Sequence, residues 1–233
     1  MFTYIDSLED LSFLNKELLL KPYVGVDTEF RRTTKDNMKL ALLQINDSEE
    51  TFIIDCLQIG NIEDECSFIS SEKVKKILHS YREDAEALSS WTNQNLKKVF
   101  DTQLANAFLG GSFSIGYKEL VLEKLGVLID KDETRSNWMK RPLRNSQLNY
   151  AASDVEFLIE IHSAQEEELK ETEKMDWFLE ELDFGLNKIF TTDIPQEKLL
   201  TLSVSKEEER SILFSFNEIV DSILLKFNND NDD

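Results

Sequence analysis

Two carboxylates, Asp27 and Glu29, close an apolar run, Tyr23-Val24-Gly25-Val26, which reads as a strand. Two apart on a strand, they point to the same face. Charges of one sign that close repel unless a cation joins them, although a strand end running into solvent would carry the same pair without one. Tyr150 and Asp154 form a second pair, four apart in a helical stretch and therefore on one face with Ala151, Ala152 and Val155. The small residues would let that face approach a sheet closely. A carboxylate on the buried side of a helix needs a partner, and a metal shared with Asp27 and Glu29 would serve. A further acid is offered by HSYREDAEAL, residues 79–88, where Asp84 competes with Glu83 and Glu86. An oxygen-only cluster suits magnesium or manganese, whereas a zinc site would normally offer histidine or cysteine. Two such ions ~4 Å apart can hold an attacking water and a leaving oxygen in line at phosphorus, which is phosphodiester hydrolysis. A tyrosine on the same face could orient that water.

The elements that would position these groups follow from the hydrophobic pattern. Strand-like runs occupy 23–27, 39–45, 51–55, 74–78 and 97–101, and a polar helical stretch precedes the last of them. Helical spacing then takes over: LANAFLG runs into Gly110, and KELVLEKLG ends at Gly126. QLNYAASDVEFLIEIHSAQEEELKE, residues 147–171, reads as one long helix capped by Asn145 or Ser146. The pattern implies an α/β fold, a mixed sheet flanked by helices. Beyond it come amphipathic segments at 173–190 and 206–227, read as a small helical appendage. The expected organisation is a catalytic domain over 1–168, an acidic helical extension over 169–227 and a disordered end at 228–233.

Bulk properties set limits on this reading. At 233 residues, 41% hydrophobic and 31% charged, the chain suits one sizeable globular domain with a small addition. No apolar run approaches the ~20 residues of a membrane span. The N-terminus lacks the basic and apolar regions of a secretory signal, and Cys56 and Cys66 read as reduced thiols, so a cytoplasmic protein is expected. The net charge of −20 argues against a broad basic grip on nucleic acid, and residues 155–233, with 21 acidic and 7 basic side chains, carry most of it. Neither GxGxxG nor GxxxxGK[ST] occurs, which excludes a Rossmann or P-loop enzyme.

Four ordered blocks resemble the ribonuclease D group of 3′→5′ exonucleases, in the superfamily named for four acidic metal ligands. VDTEFRR at 26–32 is similar to the first exonuclease motif, HSYREDAEAL with FDTQLANAFLG at 79–110 to the second, and NYAASDV at 149–155 to the third. TRSNWMKRPL at 134–143 resembles the segment preceding the third motif. The resemblance implies a ribonuclease H-like (DnaQ-like exonuclease) fold with a five- to six-stranded mixed sheet. It implies Asp27, Glu29, Asp84 and Asp154 as ligands of two divalent ions, Mg2+ or Mn2+, and resolves the choice of acid in favour of Asp84. Tyr150 matches the tyrosine of the subgroup that positions the attacking water with a phenol, with Glu29 accepting a hydrogen bond from that water. One ion would sit among Asp27, Glu29 and Asp154, and the second between Asp27 and Asp84. The implied substrates are RNA 3′ ends, single-stranded or in transfer-RNA precursors.

Further expected substrate contacts are Thr28, Phe30, Gln44, His79, Arg135, Lys140 and Arg141. For several of these a structural role competes: Phe30 could cap the core, Gln44 could satisfy its amide on backbone, and Arg141 sits beside Trp138 and Pro142. Asp101 is expected to cap a helix rather than bind metal. Ribonuclease D chains typically continue into helical HRDC-type nucleic-acid-binding domains, which residues 169–227 do not resemble, so weak RNA binding is expected. The C-terminal helices could instead serve a homodimer or a protein partner. Two other readings keep the fold: a single-stranded DNA exonuclease, or a binding scaffold without turnover.

Overall fold

The computed structural model describes residues 2–34, 37–129 and 136–190. Its centre is a sheet of six strands: β1 (Phe2–Ile5), β2 (Tyr23–Thr34), β3 (Asn37–Asn46), β4 (Thr51–Asp55), β5 (Lys75–Leu78) and β6 (Val99–Asp101). Their order is β1-β4-β3-β2-β5-β6. β2, β3 and β4 form an antiparallel meander, while β1, β5 and β6 join it in parallel, which makes the sheet mixed. Five of these strands were legible as runs of apolar residues. The sixth, β1, was not, because four residues at a chain end show no period until Phe2 to Ile5 find their partners Thr51 to Ile54.

Eight helices accompany the sheet in the described residues: α1 (Leu8–Leu18), α2 (Cys56–Ile59), α3 (Arg82–Thr92), α4 (Thr102–Phe108), α5 (Tyr117–Leu125), α6 (Asn145–Ser153), α7 (Leu158–Glu171) and α8 (Met175–Phe190). Asp101 caps α4, its carboxylate accepting from the Leu104 N–H at 2.7 Å and from the Tyr81 N–H at 2.6 Å. The single helix expected over 147–171 is instead two. α6 ends at Asp154, whose N–H still reaches the Tyr150 carbonyl at 3.2 Å, and α7 starts only at Leu158. The cap lies one residue earlier than expected, at Arg144, whose N–H donates to the Gln147 side chain at 3.1 Å. The break lets the chain turn at Asp154, so that α6 and α7 meet the sheet at different places.

The alternation along β2 gives each of its faces one task. Val24 and Val26, fully buried, belong to the main core with Leu43, Ile45, Phe68, Ala85 and Leu88. Gly25, Asp27 and Glu29 face the other way. On that side Ala41, Leu42 and Ile53 pack with Trp138 and Ala151 in a separate smaller cluster. α8 also joins the main core, with Phe178 buried 4.8 Å from the Phe100 ring. The expected second amphipathic segment, 206–227, and the acidic end, 228–233, lie outside the described residues. No helix among the described residues is long and apolar enough to cross a membrane.

Gly25 is where the α6–α7 turn comes closest to the sheet. A Cβ there would lie 3.2 Å from the Leu158 Cβ and 3.2 Å from the Val155 carbonyl oxygen. Both obstacles belong to the turn that begins at Asp154, so the missing side chain sets how near that acid comes to β2. Gly25→Ala is therefore expected to lower stability by about 1–3 kcal/mol through overpacking. Gly116→Ala, where a Cβ meets nothing within 4 Å, should stay within about 0.5 kcal/mol of the parent. Urea unfolding of the two variants checks both expectations.

Candidate active site

Asp27 and Glu29 project from one face of β2, at the place where its pairing with β3 slips. Glu29 stands opposite Leu42 and Phe30 opposite Leu40, a bulge that skips Ala41. A bulge bends and twists a strand locally, and here it lies directly after the two acids. Asp154, delivered by the end of α6, completes a group in which one oxygen from each of the three carboxylates lies within 4.8 Å of the others. Asp84 comes from the first turn of α3 on the far side of β2 and is buried, while its hydrogen-bonding partner, the Thr28 hydroxyl, projects from that same side of the strand. Its neighbours point away: Glu86 pairs with Arg32 at 2.6 Å and Glu83 lies 3.8 Å from the same guanidinium. Of the three acids left open at the start of α3, Asp84 is thus the one that faces inward.

The electrostatics of this group follow from desolvation first and, at Asp27 and Glu29, from repulsion by the other acids second. Burial, then the charges of Asp84, Asp154 and Glu29, push Asp27 far above the usual carboxylate range. Glu29 is pushed up to about 8 by burial and by Asp154 and Asp84. Asp84 rises to about 7, burial outweighing the Thr28 hydrogen bond. Asp154 also rises to about 7, with burial opposed by the Lys118 ammonium and by a hydrogen bond from Tyr150. The Tyr150 phenol is itself raised by burial and by the Asp154, Glu29 and Asp27 charges, so it stays protonated through the neutral range. Its ring lies 6.1 Å from that of Trp138 and 4.3 Å from the Lys118 ammonium. Carboxylates without an imidazole or thiol among them make a donor set for a hard divalent cation. Asp27, Glu29 and Asp154 are the residues that would hold one, and Asp84 lies near enough to raise Asp27 and Glu29.

The other expected contacts fall elsewhere. Thr28 is buried and engages Asp84 rather than facing solvent. Phe30 is half-buried against the main core. Gln44 pairs with Asp27 across β2 and β3 but is 0% exposed, so no substrate can reach it. His79 has both ring nitrogens taken, Nδ1 by the Thr102 hydroxyl and Nε2 by the Ile115 carbonyl, each at 2.9 Å. Arg141 forms a two-point pair with the fully buried Asp55, 2.5 Å at Nε and 2.7 Å at Nη2, and also donates to the Trp138 and Ala41 carbonyls. The guanidinium is thereby spent on the fold. Lys140 is exposed, and Arg135 lies outside the described residues. The residues that sequence reasoning missed are Tyr117 and Lys118. In YKELVLEKLG they look like ordinary helix positions, and only long-range packing brings them to Tyr150 and Asp154.

The sequence matches a family described as 3′-5′ exonuclease over residues 2–170. Among its relatives is the ribonuclease D of Pseudomonas paraeruginosa, 38% identical over 166 residues, covering 71% of this chain and 44% of that protein. The chain spans about half the length of the curated relatives it matches. The crystal structure of Escherichia coli RNase D, described as an exoribonuclease involved in structured RNA processing, superimposes with a TM-score of 0.78 at 29% identity. That match covers 83% of this chain and 52% of the other. Brucella melitensis NrnC shares the fold at 22% identity, with a TM-score of 0.70 over 88% of this chain and 96% of its own. The mixed six-stranded sheet with its helices is thus the ribonuclease H-like exonuclease fold that the motifs implied.

The raised carboxyl groups carry a consequence for stability. An acid whose folded pKa exceeds its unfolded one binds more protons folded than unfolded, so its contribution is lost as pH rises through the folded value. Metal-free protein should lose stability between about pH 4 and pH 8, the window spanned by the ordinary values and by those of Asp84, Asp154 and Glu29. Divalent cation should restore it above pH 7. Melting temperatures across that range, in EDTA and in Mg2+ or Mn2+, check the sign; a metal-free curve that rises through the window contradicts it.

Proposed function

The chain belongs to the 3′-5′ exonuclease family, in its ribonuclease D branch, and from that premise we propose that it shortens RNA from the 3′ end, releasing nucleoside 5′-monophosphates with two divalent cations as cofactors. The observation that carries the reading is the convergence of Asp27, Glu29 and Asp154 on one point beside the Tyr150 hydroxyl. Asp27, Glu29 and Asp154 would hold one ion, and Asp27 with Asp84 the other. Such ions supply positive charge to the attacking oxygen and to the departing 3′ oxygen.

The chain's own groups account for the rest. Tyr150, kept protonated by its acidic surroundings, acts as a hydrogen-bonding group that orients the attacking water and not as a phenolate base. Glu29 accepts a hydrogen bond from that water. Asp154 fixes the phenol through their mutual hydrogen bond, and the Trp138 ring limits its rotation. Thr28 orients Asp84. Transfer-RNA precursors or other structured RNAs are the proposed substrates, supported by what the E. coli relative is described as processing.

A time course on 5′-labelled single-stranded RNA tests this reading. It should give a ladder that shortens from the 3′ end in Mg2+ or Mn2+ and stops in EDTA. Asp27→Asn should abolish it, and Tyr150→Phe should slow it about 10²–10⁴-fold, the usual range for a lost proton-handling group. A DNA oligomer run in parallel reads the sugar preference. Intact RNA under every ion with folded protein overturns the proposal.

A further inference from the structure

The geometry points to Gln44 as the positioning residue of Asp27, donating its side-chain N–H to that carboxylate when it holds metal, an inference that rests on the two-metal reading of the site. Gln44 is fully buried, and neither its amide nitrogen nor its amide oxygen has a hydrogen-bond partner among the described residues. Leaving both ends of a buried amide unmatched costs free energy that a leucine of similar size would not. Two other described residues carry such an atom, His162 and Gln165 on α7, but only one each. Gln44 is therefore the place where a whole polar group is buried unmatched, and it lies in the sheet beside the acids.

Strand register identifies the partner within reach. Gln44 stands opposite Asp27 on β2 and opposite Ile53 on β4. Directly opposite residues of an antiparallel pair project to one face with Cβ atoms about 4.5–5.5 Å apart, within the span of a glutamine side chain. The other polar neighbours on that face are already engaged. Asn46 donates to the Thr51 hydroxyl and accepts from the Ser48 N–H, both at 2.9 Å. Asp55 is taken by Arg141, by the Tyr4 hydroxyl and by the Leu57 and Gln58 N–H groups. The helix above contributes Ala151, which has no polar group to offer. What remains is Asp27, directly across, and Glu29 on the diagonal.

Asp27 is the acid that both ions would share, so its orientation matters to each of them. Carboxylates that hold metal are themselves held by hydrogen-bond donors behind them, and losing such a donor weakens the metal. The Thr28 hydroxyl serves Asp84 in this way and Tyr150 serves Asp154, whereas the donor acting on Asp27 is a backbone group, the Thr28 N–H. Gln44 supplies the side-chain donor. Being neutral, it orients the carboxylate without competing with a cation for its charge, which a lysine at the same position would do.

The test compares the full chain with Gln44→Met and Gln44→Leu, which keep most of the volume and remove the amide. The readouts are Mn2+ affinity by calorimetry without RNA, melting temperature in EDTA, and KM for single-stranded RNA at saturating Mn2+. Both variants should bind Mn2+ about 10–100-fold more weakly, as for a lost partner behind a metal ligand. In EDTA they should melt at or above the parent's temperature, because the unmatched amide is gone. KM for RNA should stay the same. Unchanged Mn2+ affinity overturns the inference, including the case where KM rises and Gln44 serves the substrate instead. Weaker Mn2+ binding accompanied by early melting of both variants in EDTA also overturns it, since Gln44 would then hold the fold; if one variant alone melts early, the other decides. Wild type that binds no Mn2+ sinks the metal site and this inference together, whereas variants that bind Mn2+ as well as wild type sink only this one.

Discussion

Four carboxylates within reach of one another, Asp84 buried and Asp27, Glu29 and Asp154 half-buried, are the constraint around which the rest of the molecule is arranged. Burial favours their protonated forms and moves Glu29, Asp84 and Asp154 to about 7 or 8, and for Asp27 and Glu29 the neighbouring acids of the group add to it. A chain selected for stability alone would not gather them, because each unpaired buried charge costs free energy that hydrophobic residues of similar size would not. The cluster persists because it sits on rigid elements. Asp27 and Glu29 ride a central strand whose opposite face is closed by Val24 and Val26, and Asp154 is locked by the close approach of the turn to Gly25. Repulsion of this kind lies where a cation would relieve it, as the proposed metal site requires.

The surrounding polar residues divide between those that tune the site and those that secure its frame. Thr28 and Tyr150 each hold one acid by a hydrogen bond, and Trp138 packs on the Tyr150 ring. Arg141 and Asp55 tie the segment before α6 to the end of β4, which places Trp138. His79 ties β5 to the start of α5, which places Tyr117 and Lys118. Residues that look like substrate contacts on chemistry alone thus act one step away, by fixing the elements that carry the contacts.

How much was legible in the sequence depended on whether the signal was local. Asp27 and Glu29 could be read because two-residue spacing on a strand forces one face, and Tyr150 and Asp154 because four-residue spacing does so on a helix. That second inference survived even though the helix ends at Asp154, since the Asp154 N–H still bonds to the Tyr150 carbonyl. The break itself was hidden by an apolar pattern that runs through it. Asp84 could not be told from Glu83 and Glu86 by residue type; the difference lies in Arg32, which pairs with the other two from a distant strand. β1, Lys118 and the commitment of Arg141 to Asp55 were illegible for the same reason: each depends on a partner far away in the chain.

The central claim is that these acids are partly protonated without metal and must ionise to hold it. Calorimetric titration of Mg2+ into metal-free protein at pH 7, repeated in buffers of different ionisation heat, counts the protons released on binding. The account predicts release of about one proton or more per chain, since carboxyl groups raised to about 7 and 8 have to give theirs up. Mg2+ binding with no proton release would contradict it, because the four acids would then already be ionised and their mutual repulsion absorbed in some other way.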